Sequence, residues 1–165
     1  MIVESKVVKV GIADMNYCKA PNKIRTSGLG SCVGVVLYDL NKQIAGLAHV
    51  MLPDSNLAKG KTIHKAKFAD TAVATLIDIL EKEGVWRRQL KAKIAGGAQM
   101  FTFNTKDDYM RIGPRNVEAV KKELQRYAIP LISEDVGGSS GRTIEFNPET
   151  GLLFVRTVNK GTKEI

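Results

Sequence analysis

Two apolar runs, Val33 to Tyr38 and Ile44 to Leu52, follow one another across Asp39-Leu40-Asn41-Lys42. A strand with one wet face alternates apolar and polar residues. These runs do not, so they predict two paired strands in a sheet covered on both faces. Few folds accommodate that. The rest of the chain must supply a layer for each face, and the stretches around the pair are read with that demand in view.

Short strands are expected at Val7 to Ile12 and Ile24 to Thr26 before the pair. After it, Pro53-Asp54-Ser55 breaks the second run and opens a lysine-rich loop, Asn56 to Lys67. The period then changes. Phe68, Ala69, Ala72, Val73, Leu76, Ile77 and Leu80 recur at helical spacing, and Gly84 stands where such a helix stops. Leu90 to Ala95 is a further strand, ending in Gly96-Gly97. A second helix follows Gly113-Pro114, with Val117, Val120, Leu124 and Tyr127 on one face. Leu131 to Glu134 is a short strand before the loop Gly137-Gly-Ser-Ser-Gly141. Thr143 to Phe146 and Leu152 to Val158 form a hairpin around Asn147-Pro-Glu-Thr-Gly151. Many strands and two principal helices, without regular alternation, predict an α+β fold in a single domain, residues 1–165.

Composition narrows the function classes. At 165 residues, 44% hydrophobic and 25% charged, the chain can bury a core without staples. No stretch has the apolar length needed to cross a bilayer, so no membrane insertion is expected. The first fifteen residues read as a strand and lack a signal-peptide pattern. Two cysteines make no disulfide framework, and the expected compartment is the cytoplasm. The net charge of +8 invites a nucleic-acid reading. Lys59, Lys61, Lys65 and Lys67 cluster in one loop, and Lys121 and Lys122 share a helix. No helix-turn-helix, zinc-finger or aromatic ribonucleoprotein pattern accompanies them, so a solvated surface or an acidic protein partner is the better reading.

The chemistry concentrates at Thr26-Ser-Gly-Leu-Gly-Ser-Cys32. A cysteine nucleophile needs a base and an accessible thiol. In an antiparallel hairpin through the Asp39 turn, the start of one strand lies beside the end of the other, which brings Cys32 close to His49–Val50. Gly28 and Gly30, with Ser31, form a corner whose amides could hold an oxyanion. A buried structural cysteine and a hydrogen-bonded core histidine are the competing readings of the same residues. Cys18 has neither glycine corner nor obvious base, and His64 stands among lysines. No zinc-ligand spacing is present.

Six blocks in order resemble a known family: Thr26 to Cys32, Ala48-His-Val-Met-Leu-Pro-Asp-Ser55, Phe68-Ala-Asp-Thr-Ala72, Lys93-Ile-Ala-Gly-Gly-Ala98, Arg115-Asn-Val-Glu-Ala-Val120 and Glu134-Asp-Val-Gly-Gly138. Together they are similar to the chemoreceptor glutamine deamidases, the CheD family. The resemblance implies a layered sandwich related to toxin-type cysteine deamidases. It implies hydrolysis of glutamine side chains on methyl-accepting chemoreceptors, and binding of the phosphatase CheC. Cys32, His49 and Thr26 take the positions of the family's catalytic residues, with no cofactor or metal. Met100, Phe101 and Phe103, which follow the paired glycines, are expected to help read a target helix. A binding module without chemistry, or a cysteine peptidase or other amidase, remains the alternative.

Overall fold

The computed structural model describes residues 4–58, 63–100 and 111–165. The strands are β1 (Val7–Val10), β2 (Met15–Lys19), β3 (Lys23–Leu29), β4 (Val33–Asp39), β5 (Ile44–Val50), β6 (Lys91–Gly96), β7 (Leu131–Val136), β8 (Arg142–Asn147), β9 (Leu152–Thr157) and β10 (Gly161–Glu164). The two α-helices are α1 (Ala69–Lys82) and α2 (Ile112–Arg126). One sheet runs β1-β3-β8-β9-β10 and the other β2-β5-β4-β6-β7. The β1–β3 and β6–β7 pairs are parallel and the others antiparallel, so both sheets are mixed. The expected α+β sandwich is the observed architecture.

Every residue of β4 and β5 is buried, and the reason is their place in the middle layer. Val33, Val35, Leu37, Ile44, Ala48 and Val50 pack with Ala72, Val73, Leu76, Ile77 and Leu80 of α1 and with Val120 and Leu124 of α2. Val36, Tyr38, Ala45 and Leu47 pack the other way, against Ile24, Leu29, Ile144, Phe146, Leu153 and Val155 of the first sheet. Each fully buried Leu, Ile or Val there contributes roughly 1.5–3 kcal/mol. Alternate residues of one apolar run thus serve two cores. Lys93 of β6 also points into the inter-sheet layer; its ammonium donates to the main-chain oxygens of Gly151 and Ile165 at 2.6 and 2.8 Å.

Two strands were not expected from the pattern. β2 is a short edge strand whose register pairs Cys18 with Ala45, and its mixed MNYCK sequence hides the alternation. β10 is exposed throughout; ladder bonds to β9 rather than apolar burial define it. The second helix begins at Ile112, two residues ahead of Pro114. A proline there costs no hydrogen bond, because first-turn N–H groups have no partner within the helix. Lys121 on α2 bridges to Glu134 of β7 at 2.9 Å. Lys59 and Lys61 lie outside the described residues.

Candidate active site

The hairpin sets the site. β4 and β5 pair with Gly34 opposite His49 and Val33 opposite Val50. Residues directly across a ladder share a face. A Cβ on Gly34 would meet Ile144 and Leu29 side chains of the first sheet, so His49 also points into the inter-sheet layer. Cys32 lies two residues before Gly34 and packs against the same inter-sheet core. Cys32, the residue just before β4, and His49 therefore both face the inter-sheet layer, with Gly34 opposite His49. The register sets Val33, the residue after Cys32, opposite Val50.

Across the layer, β3 presents Thr26, which is buried. Its hydroxyl donates to the Val10 carbonyl at 2.7 Å and lies 2.7 Å from Nδ1 of His49. A threonine hydroxyl has one proton, and a carbonyl can only accept. With that proton committed to Val10, the remaining contact requires Nδ1–H of His49 to donate to Thr26. Nε2 is then the unprotonated nitrogen. It is buried with no hydrogen-bond partner among the described residues, and its lone pair is free to take a proton. The β1 carbonyl, the β3 hydroxyl and the β5 imidazole thus form a relay that selects a tautomer. His49 itself is fully buried, and burial lowers its pKa from the ordinary imidazole value of 6.5.

The two cysteines differ in exposure. Both are free thiols, Cys32 half-buried and Cys18 buried. Burial pushes Cys18 up to about 11, and its thiol contacts the Asn22 carbonyl at 3.6 Å. Burial also raises Cys32, opposed by the residue's own backbone N–H, which favours the thiolate. Considered singly, each group is held neutral by burial, Cys32 as the thiol and His49 as the bare imidazole.

The corner before Cys32 is ordered by main-chain bonds. Gly28 takes a left-handed φ of 72° with open space at its Cβ position, as a glycine corner requires. The Gly30 N–H donates to the Gly28 carbonyl at 3.1 Å, and the Gly30 carbonyl accepts from Ala98 at 2.9 Å. The Gly30 amide is thus occupied within the loop. The Cys32 carbonyl accepts from Gly97 at 2.8 Å. Met100, 44% exposed, lays its side chain over Gly30, 3.3 Å from where a Cβ would be. Phe101 and Phe103 lie outside the described residues. His64 is exposed. The main chain of Lys67 receives Met51 and Leu52 N–H groups, docking the loop onto the extension of β5. Sequence reasoning missed Asn116, a fully buried α2 side chain that donates to the Ser31 and Met51 carbonyls.

Thr26→Val keeps the shape and removes both hydrogen bonds. It should lower turnover by roughly a hundred-fold, by the logic of a lost tautomer-setting partner. The orphaned buried groups should cost about 1–3 kcal/mol. Thr26→Ser should restore both. Nitrogen NMR of His49 reads the tautomer directly; an unchanged Nδ1–H form in Thr26→Val would refute the relay.

The family profile described as "CheD chemotactic sensory transduction" matches residues 51–157. The chain is 62% identical to the chemoreceptor glutamine deamidase CheD of Halalkalibacterium halodurans, over 96% of this chain and 98% of that one. It is 60% identical to the protein of the same name from Bacillus velezensis, and 59% identical to that from Bacillus subtilis strain 168. Each of these two alignments covers 98% of both chains. Among the described residues no helix is long and apolar enough to cross a membrane. With the profile matched and near-full-length identity at this level, the chain belongs to the CheD family.

Proposed function

We propose that this chain is a cytoplasmic protein-glutamine deamidase. It converts selected glutamine side chains of methyl-accepting chemoreceptors to glutamate and releases ammonia. The observation that supports it best is the Thr26–His49 contact, which leaves Nε2 bare on the face shared with Cys32. The names of the relatives supply the substrate class.

The steps follow from this placement. Nε2 of His49 takes the Cys32 proton as the sulfur bonds to the amide carbon. The carbonyl oxygen becomes an oxyanion near the Cys32 corner, where backbone N–H groups such as that of Cys32 favour negative charge. Collapse breaks the carbon–nitrogen bond, and imidazolium His49 returns its proton to the leaving nitrogen, giving ammonia and a thioester. Water then gives a proton to Nε2 and attacks the thioester. Cleavage of the carbon–sulfur bond yields glutamate, and the sulfur regains its proton from His49. The sum is glutamine plus water to glutamate plus ammonia. No cofactor enters.

Receptor helices, and the phosphatase CheC as a second partner, would dock over the Cys32 mouth. Met100 supplies an exposed apolar anchor there, of the kind helix recognition uses. The decisive experiment is mass spectrometry of a purified receptor cytoplasmic fragment after incubation with this chain. The expected product is an intact receptor with specific glutamines converted to glutamate and matching ammonia. Backbone cleavage would assign a peptidase instead, and binding without conversion would leave only a docking module. His49 must be neutral to act as base, and burial lowers its pKa. The acid limb of kcat/KM should therefore fall below pH of about 6.5, the ordinary imidazole value; a midpoint well above it would contradict the neutral-base assignment.

A further inference from the structure

The Asn116 amide is the least expected polar group near the site. It sits on α2, an element that carries none of the proposed catalytic residues, and it is fully buried. Its single nitrogen, Nδ2, donates to the Ser31 carbonyl at 3.0 Å and to the Met51 carbonyl at 2.8 Å. Ser31 is the residue before Cys32; Met51 is two residues beyond His49. One amide group therefore ties together the two chain segments that leave the hairpin mouth.

The Ser31 contact has a geometric consequence. The only cis peptide among the described residues is Ala20–Pro21, so the Ser31–Cys32 peptide is trans. In a planar trans peptide the C=O and the following N–H point in opposite directions. Holding the Ser31 oxygen toward Asn116 turns the Cys32 N–H away from α2. The next peptide is held as well, since the Cys32 carbonyl accepts from Gly97 at 2.8 Å. Both peptides flanking the Cys32 α-carbon are thus pinned, one by a side chain and one by main chain.

α2 is seated firmly enough to serve as the reference. A Cβ on Gly113 would lie 2.2 Å from the Ala98 carbonyl oxygen, and one on Gly97 would lie 2.2 Å from the Val117 side chain. The first turns of α2 are packed directly against the glycine exit of β6. Met51 is fixed on its other side, where its N–H donates to the Lys67 carbonyl at 2.9 Å.

We infer that Asn116 is a positioning residue for the deamidation reaction: by holding the Ser31 and Met51 carbonyls it aims the Cys32 N–H and sets the spacing of Cys32 from His49. This rests on the Cys32–His49 reading given above. Asn116 is hydrogen-bonded to neither the sulfur nor the imidazole and acts through the main chain on either side of them.

The test is Asn116→Asp, which keeps the shape and replaces both donors by acceptors, with Asn116→Ala as a second variant. Leu124→Ala serves as comparator, because Leu124 is a buried residue of the same helix that bonds to neither segment. All rates are taken per folded molecule, read from near-ultraviolet circular dichroism, with trimethylamine N-oxide added where the folded fraction drops. Both Asn116 variants should lose about ten- to a hundred-fold in kcat, the scale of a small misplacement at a reacting centre. KM for the receptor fragment should stay within about two-fold, on the same view that positioning acts on the chemical step. Alkylation of Cys32 by iodoacetamide, which needs no receptor, should slow in parallel. Leu124→Ala should keep the wild-type kcat and alkylation rate. Wild-type kcat and alkylation in the Asn116 variants would overturn the inference, as would equal losses in Leu124→Ala. Cys32→Ser is run beside them: full deamidation by that variant removes the Cys32–His49 reading itself, whereas its inactivity together with normal Asn116→Asp turnover removes only the inference.

Discussion

Cys32→Ser is expected to abolish receptor deamidation, by at least about a thousand-fold, while the protein folds normally and still binds the receptor. A serine hydroxyl is far less acidic than a thiol, and a neutral imidazole can remove a thiol proton far more easily than an alcohol proton. The environment sharpens the contrast. His49 is fully buried and its pKa is lowered by that burial, so it is a weaker base than a solvated imidazole. Burial raises the Cys32 thiol too, opposed by its own backbone N–H, but a thiol starts several units more acidic than an aliphatic hydroxyl, so the exchange to serine should leave a proton that this imidazole cannot remove. Cys18→Ser should leave turnover near wild type, because Cys18 is a buried β2 residue whose pKa burial raises to about 11. Ammonia release and receptor mass, measured for both variants, settle the matter. Ordinary activity in Cys32→Ser, or equal loss in Cys18→Ser, would mean that the nucleophile has been misplaced.

The second large effect should come from a residue with no side chain. Gly96 pairs with Val33 across β4 and β6 and has a φ of 114°, where a Cβ would lie 2.2 Å from the Cys32 carbonyl oxygen. Gly96→Ala therefore combines left-handed strain with a collision against backbone, which cannot rotate away. We expect a loss of about 3–4 kcal/mol, or about 10 °C in Tm for a chain of this size. The surviving folded molecules should also be slow, because the collision falls on the carbonyl of Cys32, the proposed nucleophile. Gly137→Ala separates the two causes: its φ is 85°, but nothing lies within 4 Å of its Cβ position. Strain alone should cost it about 1–2 kcal/mol with activity per folded molecule retained. Thermal melts and specific activities that matched between the two variants would show that the approach to Cys32 is not what makes glycine necessary at position 96.

Much of this molecule was legible in its amino-acid order. The unbroken apolar runs of β4 and β5 demanded a sheet covered twice, and they lie in the middle of three layers. A short turn between them left little freedom of register, so the start of β4 could be set against the end of β5 from spacing alone, as the Val33–Val50 pair shows. Local patterns carry such information because burial of alternate residues and turn length act over a few residues.

Other decisions belong to the tertiary structure. No local pattern marks β10, whose exposed residues gain only ladder hydrogen bonds. Asn116 and the mostly buried Glu123 occupy core-facing positions on α2. Helical period cannot tell a polar residue that pins a distant carbonyl from one that faces water. The role of Thr26 was suggested by family resemblance, but its chemistry depends on Val10. That carbonyl, sixteen residues away, takes the hydroxyl proton and so decides which imidazole nitrogen is left bare. A tautomer is set by hydrogen bonds among three strands, and such an arrangement exists only once two sheets have packed.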